Sequence, residues 1–193
     1  GIILDKRNQP FMPTEGYRTK FFQQLPIISD SSAIINSLEY SKYKSFTEDV
    51  IGSFKFFGST INSIAGDEVR LTERFYLPSR RLRGFEKGKV GPKDGDDHIG
   101  GNYAAGIGFE ASLPNLLPEE TKTDISLFLD AANLWGVDYR DNYNDSNKIR
   151  SSAGIAVDWF TPVGPLNFSL AQPITKVSTD RTETFQFNLG TTF

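Results

Sequence analysis

At 193 residues the chain is long enough for one sizeable domain, and it holds no run approaching the roughly 20 consecutive apolar residues of a membrane-crossing helix. A formal net charge of −3 and the absence of cysteine argue against a nucleic-acid surface and exclude a disulfide framework and a thiolate metal site. Strands that alternate need only half their residues apolar, so a mean hydropathy of −0.36 excludes a helical membrane bundle but leaves a β-barrel open.

The chain opens on Gly1, Ile2 and Ile3 with no basic segment ahead of an apolar one, so no signal peptide is read here. An envelope protein needs one, and the expectation is a mature or truncated chain with Gly1 as an expression remnant. A short strand is expected near 1–7, then strands near 17–26, 34–45 and 48–61. Residues 63–100 are too long for a hairpin turn. Alternation is clearest next, with Tyr103, Ala105, Ile107, Phe109, Ala111 and Leu113 interleaved by Asn102, Ala104, Gly106, Gly108, Glu110 and Ser112. Ile125, Leu127, Leu129 and Ala131 then oppose Asp124, Ser126 and Asp130, with Phe128 an exception on the polar face. After an Asp- and Asn-rich loop at 136–150, Ala153, Ile155, Val157 and Trp159 oppose Gly154, Ala156 and Asp158. Beyond the turn Pro162-Val163-Gly164-Pro165, Leu166, Phe168 and Leu170 oppose Asn167, Ser169 and Ala171. The last segment sets Phe185, Phe187, Leu189, Thr191 and Phe193 against Gln186, Asn188 and Gly190. The expectation is an all-β antiparallel chain of about eight strands plus a leading partial one.

Tight turns alternating with long loops fit an outer-membrane barrel, whose periplasmic turns are short and whose outer loops are long. The turns at 13–16 and 162–165 are then periplasmic. A soluble sandwich alternates as well. The barrel is favoured by the polar face, where Gly, Ala and Ser surround isolated carboxylates, as a wet or loop-filled lumen requires.

Catalytic chemistry finds little to work with. His98 is the one histidine, no nucleophile elbow of the G-x-S-x-G kind occurs, and no glycine loop would cradle a phosphate. His98 reads as a solvated loop residue. The carboxylates around it fit no calcium loop, and Asp141-Asn142-Tyr143-Asn144-Asp145 reads as a hydrated loop. No enzyme, cofactor, metal or nucleic-acid partner is expected.

Arg80-Arg81-Leu82-Arg83-Gly84-Phe85 stands out within the long loop. Leu82-Arg83-Gly84-Phe85 resembles the (V/L)RGF motif of the BamA-type assembly factors and their relatives in the bacterial surface antigen family. Arg74-Phe75-Tyr76 before it, and Gly91-Pro92-Lys93 and Gly100-Gly101-Asn102 after it, resemble the same family's surroundings. So do the hairpin Asp5-Lys6-Arg7…Phe11-Met12-Pro13-Thr14-Glu15-Gly16, the stretch Trp159–Pro173 and the ending Phe185–Phe193. Leu77-Pro78-Ser79 departs from the family's frequent Gly-Gly.

The resemblance implies the C-terminal part of a transmembrane barrel of about sixteen strands, residues 1–193, without the family's periplasmic POTRA domains. It implies a bacterial outer-membrane protein that inserts nascent outer-membrane proteins by templating strands at its seam, in contact with membrane lipid. Accessory assembly lipoproteins would act through the missing POTRA region. The functional loop motif is then Leu82, Arg83, Gly84 and Phe85. The strand faces offer Glu110 and Asp130 as lumen partners of Arg83. Phe185, Phe187, Leu189, Gly190 and Phe193 form the seam strand and C-terminal signal. The alternatives are a two-partner-secretion or TamA-like translocation pore and a small ligand-binding barrel. Alone, the chain is expected to close as a small barrel with its motif loop displaced outward, or else to pair with a second copy.

Overall fold

The computed structural model describes residues 1–26, 32–66, 68–138, 147–162 and 164–189. Its strands are β1 (Ile2–Asp5), β2 (Gly16–Gln24), β3 (Ala33–Thr47), β4 (Val50–Ser63), β5 (Lys93–Asp94), β6 (Asp97–His98), β7 (Tyr103–Ser112), β8 (Thr123–Trp135), β9 (Arg150–Thr161), β10 (Gly164–Thr175) and β11 (Phe185–Leu189). Nine of them form one antiparallel meander in the order β1-β2-β3-β4-β7-β8-β9-β10-β11, while β5 and β6 make a small ladder inside the long loop. Helical structure among the described residues is limited to the single 3-10 turns Leu71–Glu73, Ser79–Arg81 and Glu119–Thr121.

Alternation decides which residues face which way. Phe54, Phe109, Leu129 and Ala153 stand in one cross-strand row on the outer face of β4, β7, β8 and β9. Ser112, Ser126, Ala156, Ser169 and Gln186 stand in a row on the inner face of β7 to β11. Ile107, Phe109, Leu127, Leu129, Ile155, Trp159, Leu170, Phe185 and Phe187 are all exposed on the outer face, whereas Asn102, Ser126 and Asn167 are buried on the inner one. An apolar surface this continuous is what hydrocarbon, not water, would cover. Spin labels at Leu127, Leu129 and Phe187 are therefore expected to report a lipid environment, and labels at Ser126 and Asn167 are not. The reverse pattern would mean that the register is wrong by one residue.

The antiparallel order puts the 6–15, 48–49 and 113–122 connections and the turn after Thr161 at one end. The long connections 64–102 and 136–149 leave from the other end. The two proline turns read from the sequence thus share an end, although Val163 itself lies outside the described residues.

The expectation of a small closed barrel with an outward loop is wrong on both counts. Among the described residues β1 pairs only with β2 and β11 only with β10, so the sheet is an open, partial barrel. The long loop lies on its inner face and supplies half of the main core. Leu77, Leu82, Phe85 and Val90 of the loop pack with Phe57 of β4, Ala104 of β7, and Ala132 and Leu134 of β8. Phe85 and Leu82 are each 1% exposed, and burying two such side chains contributes roughly 3–6 kcal/mol. Closing the strands into a small barrel would expel them. The open wall instead keeps the loop packed on its inner face.

Candidate functional site

Arg83 enters from the loop and meets two strands at once. Its Nε donates to Asp130 Oδ2 at 2.7 Å and one terminal nitrogen to Asp130 Oδ1 at 2.8 Å, a bidentate pair on β8. The other terminal nitrogen donates to Glu110 Oε2 on β7 at 3.1 Å. The backbone N–H of Arg83 also points to Asp130, at 3.2 Å. Asp130 pairs in register with Gly108 of β7, which leaves the guanidinium space between the two acids. All three side chains are largely buried, with 11% of the Arg83 and Glu110 side chains and 5% of that of Asp130 exposed.

Phe128, the apolar residue out of place in the alternation, has a use here. The Arg83 guanidinium lies 3.5 Å from the centroid of its ring, in a cation–π contact. The ring fits because the neighbouring strand has Gly154 opposite. A Cβ on Gly154 would come within 2.8 Å of Phe128 Cζ. Lys55 of β4 is a further member that the sequence did not reveal. Its Nζ donates to Glu110 Oε2 at 3.3 Å, so Glu110 has two cationic partners, whereas among the described residues Asp130 is ion-paired with Arg83 alone.

The rest of the motif is fitted as closely. Gly84 has φ +87°, where a side chain is strained, and a Cβ there would lie 3.0 Å from Ala171 Cβ of β10. Arg81 pairs with Glu39 of β3, and its guanidinium lies 4.7 Å from the centre of the Phe57 ring. A cavity of about 220 Å³ opens beside the motif and is lined by Lys20, Glu39, Lys55, Arg81 and Glu110 among others.

Phe185, Phe187 and Leu189 project outward from β11, and the two phenylalanine rings flank Phe168 of β10 at 6.4 and 5.1 Å. Gly190 and Phe193, also assigned to the seam strand and signal, lie outside the described residues. His98 is not the solvated residue expected from its acidic neighbours. Its Nε2 lies 3.2 Å from the Thr179 carbonyl, and Nδ1 is buried. Burial pushes its imidazole below the ordinary value.

Two further groups escaped the reading of the sequence. Arg150, at the start of β9, is fully buried against Asp180 and Asn133. Gln186, on the inner face of β11, hydrogen-bonds the motif loop. Alternation assigned Gln186 its face, but its partner lies about a hundred residues away in sequence, beyond any local pattern.

Comparison with known proteins agrees with this architecture. The Omp85 superfamily domain matches residues 1–193. The outer membrane protein assembly factor BamA of Neisseria meningitidis serogroup B is 36% identical over 65% of this chain and 19% of its own length. BamA of Neorickettsia risticii is 27% identical over 100% of this chain and 26% of its own length. The crystal structure of BamA from Haemophilus ducreyi lacking POTRA domains 1–3 superposes with a TM-score of 0.86 at 29% identity, covering 96% of this chain and 40% of that one. The chain thus spans about a fifth to a quarter of these two curated relatives. An open antiparallel wall carrying an arginine loop on its inner face, matched along its whole length by one family, leads to one assignment: the chain belongs to the Omp85 superfamily.

Proposed function

We propose that the chain is the C-terminal part of the barrel of a BamA-type factor, which assembles and inserts β-barrel proteins in the bacterial outer membrane. The observation that carries this reading is the motif loop docked on the inner wall, where Arg83 meets Glu110 and Asp130, in a chain that superposes on a BamA barrel with a TM-score of 0.86. β11 pairs with β10, and in this reading its other edge lies at the barrel seam. An unpaired edge templates an incoming strand, and in hydrocarbon its bare backbone groups cost several kcal/mol each until one arrives. Work of this kind is done by backbone pairing, not by bond chemistry, so the factor is not an enzyme. Nascent outer-membrane proteins are its substrates, membrane lipid covers its outer face, and POTRA domains upstream receive accessory lipoproteins.

In this reading Arg83, Glu110 and Asp130 hold the motif loop inside the barrel and keep the wall open. Phe185, Phe187, Leu189, Gly190 and Phe193 form the seam strand and its signal.

The test is a photo-reactive residue at Asn188 in the full-length protein during synthesis of an outer-membrane substrate. Capture of several different nascent barrel proteins is expected, and a disulfide across the seam should abolish it. Capture of one secreted polypeptide alone, with barrel assembly intact after depletion, would support the translocation pore instead.

A further inference from the structure

The motif loop is tied to more than the two acids. Beyond Arg83 its backbone runs antiparallel to the connection that leads into β11. Glu183 N donates to the Gly84 carbonyl and Glu86 N to the Arg181 carbonyl, each at 3.0 Å, and Phe85 and Thr182 form a bridge between them. Gln186, the second residue of β11, extends the contact from the strand itself. Its Oε1 accepts from Gly84 N–H at 3.3 Å, and its Nε2 donates to the Phe85 carbonyl at 2.7 Å. Nε2 also lies 3.3 Å from Glu183 Oε2. The residue is only 4% exposed.

A primary carboxamide offers a donor and an acceptor on one plane, so Gln186 engages the motif backbone at two atoms. Glutamate would keep the acceptor and lose the donor, and leucine would lose both. The two backbone groups are buried and would be left short of a partner. The motif therefore reaches across the wall from β7 to β11. Arg83 grips β7 and β8, Gly84 sits against Ala171 of β10, and the amide of Gln186 grips from β11. Of these contacts, that of Gln186 comes from the last strand, β11.

We propose that Gln186 is the positioning residue through which the docked motif loop holds the last strand in place at the seam, so that loosening the loop loosens the edge that the strand offers. This rests on the edge-templating function above. Loop and seam are then one device, in which docking of the loop holds β11 in place and loosening of it frees the strand.

Hydrogen–deuterium exchange on the full-length protein in lipid nanodiscs tests this with Gln186→Leu, Gln186→Glu and Asn188→Leu. Asn188 occupies the same inner face of β11 without a hydrogen bond to the loop among the described residues, and so reports generic loosening. Gln186→Leu is expected to speed exchange of the 185–189 amides about tenfold, the scale of one or two lost hydrogen bonds. Gln186→Glu should fall between, while Asn188→Leu and the amides of 126–131 should stay at the wild-type rate. Wild-type protection of β11 in Gln186→Leu overturns the proposal, and so does equal acceleration by Asn188→Leu. If Gln186→Leu fails to fold, judged by heat-modifiable migration, the Gln186→Glu protein decides by the same reading. Insertion of a nascent barrel protein is measured in parallel. Unchanged exchange sinks the latch whatever the insertion rate, whereas faster exchange with unchanged insertion supports the latch and counts against edge templating.

Discussion

Arg83→Ala in the full-length protein is expected to destabilise the docked loop by roughly 3–5 kcal/mol, the cost of stranding a buried charge. A wet site would reduce the effect to under about 1 kcal/mol. The exposures of 11% and 5% for the Arg83 and Asp130 side chains place it in the dry regime. The loss is expected to be uneven. Glu110 keeps Lys55 at 3.3 Å when the arginine goes, whereas Asp130 loses both of its side-chain donors. Double-mutant cycles measured by denaturant unfolding in lipid should therefore give a larger coupling of Arg83 to Asp130 than to Glu110. Arg83→Lys should restore little of it, because an ammonium can neither form the fork nor lie flat over Phe128. Additive single and double mutants would remove the proposed anchoring role.

How much of this was legible in the sequence depends on the range of the interaction. Faces of β7 to β11 follow from a two-residue period, so Glu110, Asp130 and Gln186 could be assigned to the inner wall without coordinates. The strands β2 to β4 alternate less clearly, with Phe22, Tyr43 and Phe57 on the inner side, because that side faces a loop core in part and not water throughout. Phe128 looked like a flaw in the pattern because nothing local announces a guanidinium arriving from a loop 47 positions away from Asp130. Closure failed for a related reason. The expectation weighed the cost of bare edges against crowding of the lumen and moved the loop out. Burial of Leu77, Leu82, Phe85 and Val90 on the wall favours keeping the loop in and the strands apart. Apolar residues in a long loop were the available signal, and they argued for an inner position.

Arg150→Met should give the other large effect, again roughly 3–5 kcal/mol, from a position on β9 two residues from Ser152, the strand partner of Asp130. The Arg150 and Asp180 side chains are both 0% exposed. Nε and a terminal nitrogen of Arg150 donate to the two carboxylate oxygens of Asp180 at 3.0 and 3.2 Å. The other terminal nitrogen donates to Asn133 Oδ1 at 2.7 Å and to the Lys148 carbonyl at 2.8 Å. One side chain thereby joins β8, β9 and the connection that precedes β11. Among the described residues, removing it leaves Asp180 with the Val177 N–H at 2.7 Å as its hydrogen-bond donor, which is too little for a buried carboxylate. The same connection carries Arg181 and Glu183, whose amides pair with the motif loop, so the damage should spread to the loop's docking. Two readouts separate this from simple loss of packing. Exchange of the 177–184 amides should rise in Arg150→Met, and Arg150→Met with Asp180→Leu should recover much of the stability, since a buried pair replaced by apolar groups is often nearly neutral. A single variant within about 0.5 kcal/mol of wild type would show that the pair holds nothing together. A double variant as unstable as the single one would show that Arg150 acts by filling space, and that the charge on Asp180 is not what makes its loss costly.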